Sequence, residues 1–120
     1  MACLPYLKFY PADWLAARKV RRLTPEARAL YFDLLCVAWN EGGIPADCDE
    51  LAIDAAQWGY TRRRFDKAWN QVEQFWVHGR DGTLVNPRQE AERVKAIEVY
   101  EQRVAAGRRG GRPKANGKPS

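Results

Sequence analysis

Proline and glycine cut this chain into segments that allow only short helices and a hairpin. Pro25 follows Thr24, Gly42-Gly43 follow Glu41, Pro45 comes two residues later, Gly59 closes the next run, and Gly79 and Gly82 bracket Arg80-Asp81. Proline suits the first turn of a helix and breaks its interior, while glycine takes the left-handed conformation at which helices stop. A helix is therefore predicted over about Pro25 to Asn40, capped by Thr24, with Ala27, Leu30, Tyr31, Leu34, Leu35 and Ala38 as its buried stripe. A second is predicted after Pro45, where Asp47 and Glu50 read as a capping box and Leu51, Ala52, Ala55 and Trp58 supply the apolar side. Thr61 caps a third, whose Phe65, Ala68, Trp69, Val72, Phe75 and Trp76 form one continuous helical face. About three residues, one a glycine, separate the second and third, the spacing of a helix-turn-helix.

Two β-rich runs, roughly Phe75 to His78 and Thr83 to Val85, flank Gly79-Arg80-Asp81-Gly82 and predict a hairpin. Helix, helix-turn-helix and hairpin in that order predict a mainly α fold with a small β-hairpin, a winged helix-turn-helix. An extra C-terminal helix is expected over residues 87–106, with Ala91, Val94, Ile97 and Val104 as a thin seam, lying across the domain or pairing with another chain. Before the first helix, residues 1–22 read as extended or irregular, with room for a short helix around Ala12 to Ala17. Tyr6, Phe9, Tyr10 and Trp14 are the expected core anchors there. Residues 107–120 hold Arg108, Arg109, Arg112, Lys114 and Lys118 among glycines and prolines, which predicts a disordered basic tail after a single domain of residues 1–106.

A chain of 120 residues suffices for one hydrophobic core. Lys8, Asp13 and two prolines interrupt the region where a signal peptide needs an apolar run, and no stretch reaches the roughly 20 apolar residues of a membrane span. Three cysteines, Cys3, Cys36 and Cys48, make an odd set without a C-x-x-C pair, and His78 is the only histidine. No disulfide framework or structural metal is expected, and a reducing bacterial cytoplasm fits. The charge is sorted along the chain. Residues 1–22 hold five basic and one acidic residue, residues 23–60 one basic and seven acidic, and residues 61–86 five basic and three acidic. That asymmetry allows a basic face opposite an acidic one.

Catalysis has little to stand on. The nucleophile elbow, the phosphate-binding loop and the zinc-protease helix motif are all missing, so neither an enzyme nor a cofactor is expected. Asp47, Asp49, Glu50 and Asp54 lack the spacing of a calcium loop, and capping explains Asp47 and Glu50. DNA binding has more residues behind it. Arg62, Arg63 and Arg64 head the third helix, Lys67, Asn70 and Gln71 lie on its polar side, and Arg80 sits at the hairpin tip. Lys and Arg neutralise phosphates, Asn and Gln read base edges, and the second helix of the motif enters the major groove of double-stranded DNA. Arg108, Arg109 and Arg112 of the tail add attraction that needs no sequence. Arg109-Gly110-Gly111-Arg112-Pro113 loosely resembles an AT-hook core interrupted by one extra glycine. The plainer alternative is a solvated helix start, although three arginines there oppose the helix dipole by a few tenths of a kcal/mol.

"FYPADWLA", "LTPEARALYFDLLCVAWNEGGIPAD", "DGTLVNPR" and "AAGRRGGRP" together resemble the phage and prophage YdaU-like family, a domain of unknown function encoded near phage replication genes. The resemblance runs from about Tyr6 to Pro113. Arg28, before Ala29-Leu30-Tyr31, departs from the acidic residue or glycine usual in the family, at a position expected to face outward. The resemblance implies a winged-helix-like domain and a role around phage DNA replication, in initiation or helicase loading, and it carries no catalytic residues.

The leading expectation is thus a phage or prophage DNA-binding winged-helix protein acting in replication. Its rival is an adaptor that docks a replication helicase, a host protein or its own copy, favoured by the neutral body, the acidic 23–60 region and exposed aromatics. A transcriptional repressor acting as a homodimer is a third reading. DNA binding requires the arginine turn and the hairpin tip to share one electropositive surface. Carboxylates from the acidic stretch on those guanidiniums would favour protein docking instead.

Overall fold

The computed structural model describes Leu4 and residues 6–110, at 109 and 110 the backbone alone. The described chain runs α1 (Pro11–Ala16), α2 (Arg18–Arg21), α3 (Pro25–Glu41), β1 (Ile44–Pro45), α4 (Cys48–Ala56), α5 (Arg62–Val72), a 3₁₀ turn (Glu73–Phe75), β2 (Val77–His78), β3 (Thr83–Val85) and α6 (Pro87–Gly110). It is mainly helical with one small antiparallel sheet of order β1-β3-β2. No described helix is long and apolar enough to cross a membrane.

α3 is the central element, and its ends follow from local chemistry. Thr24 Oγ1 accepts from the Ala27 N–H at 3.2 Å, Pro25 occupies the first turn, and Gly42 ends the helix at φ 87°. A residue with a Cβ would be strained there and would crowd the Arg93 guanidinium, 3.2 Å from that position. The predicted stripe is buried and extends to Trp39. α5 crosses it with Phe65, Ala68, Trp69 and Val72 inward, capped by Thr61 Oγ1 accepting from the Arg64 N–H. Asp81 and Gly82, both at positive φ, make the hairpin turn, as Asp-Gly does in mirror-image turns.

Several elements depart from expectation. α4 ends at Ala56, so five residues, not three, separate it from α5, and Trp58 is 38% exposed in the turn instead of joining the apolar side. Asp47 does cap α4, but its carboxylate accepts from the Asp49 N–H at 2.7 Å in an Asx-type cap, without Glu50. The helical face predicted to reach Trp76 stops at Val72. The 3₁₀ turn then leaves Phe75 half-buried, and the Trp76 ring enters the core from the extended residue between that turn and β2.

The N-terminal region is two short helices. Of its four aromatics only Trp14 packs on the core, stacking on Tyr31 with centroids 5.5 Å apart, while Tyr6, Phe9 and Tyr10 are exposed. β1 was not anticipated. Gly43, Ile44 and Pro45 offer too few residues for a period-two pattern, yet Ile44 is fully buried opposite Leu84, and Pro45, lacking an N–H, tolerates the sheet edge.

α6 docks through polar groups, contrary to the predicted apolar seam. Asn86 caps it, Gln89 Nε2 donates to the Leu35 carbonyl at 2.7 Å, and buried Arg93 donates Nε to the Trp39 carbonyl at 2.9 Å. A cation at the C-terminal end of α3 also suits the helix dipole. Val94 and Val99 are left exposed. The helix continues past residue 106 to Gly110, so the start of the predicted tail is helical, and residues 111–120 lie outside the described part.

Candidate functional site

The arginine turn at the head of α5 is largely neutralised by the protein's own carboxylates. Arg62 Nη1 donates to Asp49 Oδ1 and its Nε to Asp66 Oδ1, both at 2.9 Å. Arg64 meets Glu26 through Nη2 at 2.6 Å and Nε at 3.0 Å, and its Nη1 reaches the Gly59 carbonyl at 3.1 Å. The Arg64 hydrogen bond, more than any other influence, holds the Glu26 carboxyl below the ordinary carboxylate range. Both guanidiniums remain half-exposed, so these pairs stabilise little by themselves, but they cancel the field that phosphate would feel.

The other predicted contacts are scattered in role. Gln71 is committed to structure, accepting from the Thr24 N–H at 3.0 Å and donating to Thr24 Oγ1 at 3.2 Å. Arg63, Lys67 and Asn70 are exposed on α5; among the described residues no side-chain hydrogen bond or ion pair holds them, and the Lys67 charge adds slightly to the lowering of the Glu26 carboxyl. Arg80 is exposed in the hairpin turn, where its carbonyl accepts from Thr83. The far side of that turn is joined to the link between β1 and α4, because the Gly82 carbonyl accepts from the Ala46 N–H. The first turn of α4 carries Asp49 and Glu50, and Asp49 is the residue that meets Arg62. Arg108 is exposed near the end of α6, and the Arg109 side chain and Arg112 lie outside the described residues.

The surface holds two notable hollows, of which the first borders this turn. An open groove of about 820 Å³ lies between the start of α3 and α5, bordered by Thr24, Glu26, Trp58, Arg63, Lys67 and Gln71. A second groove of about 350 Å³, missed by sequence reasoning, is walled by Phe9, Trp14, Val20, Tyr31 and Phe75. Its depth comes from a column of rings: Trp14 stacks on Tyr31, and Tyr31 on Phe75 with centroids 4.4 Å apart. Burial pushes the Tyr31 phenol upward, opposed by its hydrogen bond with Asn86. The run Tyr6, Phe9, Tyr10, Trp14 was the available signal. Its spacing predicts core anchors, whereas Phe9 and Tyr10 remain at the surface and only Trp14 turns inward.

At the groove's edge, Tyr10 Oη donates to Glu92 Oε2 at 3.0 Å, Lys8 Nζ lies 3.6 Å from Glu92 Oε1, and Arg88 pairs with Asp13 beneath the Tyr10 ring. The Tyr10 hydrogen bond, with help from Lys8, lowers the Glu92 carboxyl from its ordinary 4.5. The ionised form is the one held, so this latch is intact at neutral pH and is lost as pH falls through a value below 4.5. A carboxyl-carbon NMR titration should place the Glu92 inflection below 4.5, and Tyr10→Phe should raise it more than Lys8→Ala. An inflection at the ordinary position in the parent chain would contradict the latch.

No family model, curated protein or solved structure matches the chain. In "DGTLVNPR", Asp81-Gly82 forms the turn, Leu84 enters the core, and Asn86 caps α6.

Proposed function

We propose that the chain is a winged-helix docking module of phage DNA replication: α3, α4 and α5 supply the helix-turn-helix, the sheet supplies the wing, and the partner held is protein. One observation carries this reading. The guanidiniums best placed for phosphate are occupied by Glu26, Asp49 and Asp66, while an aromatic groove lined by none of these residues stands open. An apolar groove is a surface into which a partner helix can lay its apolar face. The link to replication comes from the YdaU-like resemblance.

Fluorescence anisotropy with a short duplex at low salt tests it. Full-length protein is expected to bind weakly through its tail, and replacing Arg109, Arg112, Lys114 and Lys118 by glutamine should abolish that binding. Adding Arg62→Ala, Arg63→Ala and Arg64→Ala to the parent should change little. If that triple variant loses most of the affinity, the docking reading fails.

DNA contact remains a second reading on one specific ground. Arg21, Arg22 and Arg63 make no ion pair among the described residues, and the Thr24–Gln71 bonds bring the start of α3, just after Arg21 and Arg22, beside α5. Under this reading, Glu26→Gln with Asp49→Asn and Asp66→Asn frees two guanidiniums and should steepen the salt dependence by about two phosphate contacts. An unchanged slope counts against it.

A further inference from the structure

We propose that the aromatic groove of one molecule receives the acidic face of α4 from a second copy, joining chains head to tail. The inference rests on the docking reading and names its occupant.

The argument begins with charges that find no partner within one molecule. Arg18, Lys19, Arg21 and Arg22 form a cationic ridge on and just after α2, and none makes an ion pair among the described residues. On α4, Glu50 and Asp54 likewise make none, and the Asp49 side chain stays 79% exposed despite Arg62. The two sets cannot meet inside one chain. α4 packs on α5 and β1, and none of its residues lines the aromatic groove.

The shapes match as the charges do. Ile53 is 64% exposed in the middle of α4, with Asp49 and Glu50 one turn before it and Gln57 one turn after. It is an apolar knob ringed on one side by carboxylates. The groove is the converse, an apolar hollow with Arg18 and Lys19 at its edge. The hollow's own acids do not repel an acidic helix, because Asp13 is paired with Arg88, and Glu92 is held by Tyr10 and Lys8. Knob and hollow are different surfaces, so the contact is heterologous and repeats into a ring or an open chain. One helix face on one groove is a small interface, so assembly depends on protein concentration and weakens with salt.

Sedimentation velocity of the full chain tests this. The parent should associate with rising concentration at low salt and return to monomer at high salt. Arg18→Glu with Lys19→Glu spoils the groove edge, and Glu50→Lys with Ile53→Asp spoils the knob. All four positions are exposed, so folding should survive, which circular dichroism checks. Each double variant alone should weaken association roughly tenfold or more. Mixed one to one, they should form a dimer and nothing larger, because one intact groove meets one intact knob. A parent that stays monomeric at every concentration overturns the inference, as does a mixture that fails to pair or variants that associate like the parent. The docking reading is judged separately, by the DNA titration.

Discussion

Phe65→Ala is expected to destabilise the protein by about 3–5 kcal/mol, the range for truncating a phenylalanine inside a core. Phe65 is fully buried, the largest such side chain among the described residues, and it stacks nearly parallel to Trp69 at 6.2 Å. It lies on α5 where α5 crosses α3, so the cavity would open between the two helices that hold the domain together. A small domain has about 5–15 kcal/mol in all, so the variant should lose much of its denaturation midpoint. Urea unfolding measures the loss. A cost under about 1 kcal/mol would mean that α3 and α5 do not meet through this ring.

Asn86→Ala should cost about 2–3 kcal/mol, a large effect for one polar side chain. Asn86 Oδ1 accepts from the Gln89 N–H and caps α6, while Nδ2 donates to Tyr31 Oη and to the Phe75 carbonyl, each at 3.1 Å. Alanine removes the cap, worth about 1 kcal/mol, and leaves two partly or fully buried acceptors without their donor. Asn86→Ser should recover only the cap, about 1 kcal/mol. If serine and alanine unfold alike, the cap contributes nothing and the value lies in the Tyr31 bridge. The substitution also loosens the column Trp14–Tyr31–Phe75, so it should reshape the groove and weaken self-association while the exposed charges stay in place.

Sequence alone decided whatever depends on neighbours within about four residues. Thr24 and Thr61 cap their helices, Gly42 stops α3, and Asp81-Gly82 turns the hairpin, because backbone dihedrals and short hydrogen bonds act locally. The buried faces of α3 and α5 were equally legible from helical period, up to Val72. Only tertiary structure decided the rest. The pairing of Ile44 with Leu84, the polar docking of α6 on the Leu35 and Trp39 carbonyls, and the turn of Phe75 out of the helix depend on which elements cross. The candidate site belongs to that second class. Arg62 and Arg64 read as free cations in the sequence. Whether they face phosphate or a carboxylate was settled by bringing Asp49 and Glu26, 13 and 38 residues away, within hydrogen-bond reach, since Coulomb attraction follows distance in space and takes no account of distance along the chain.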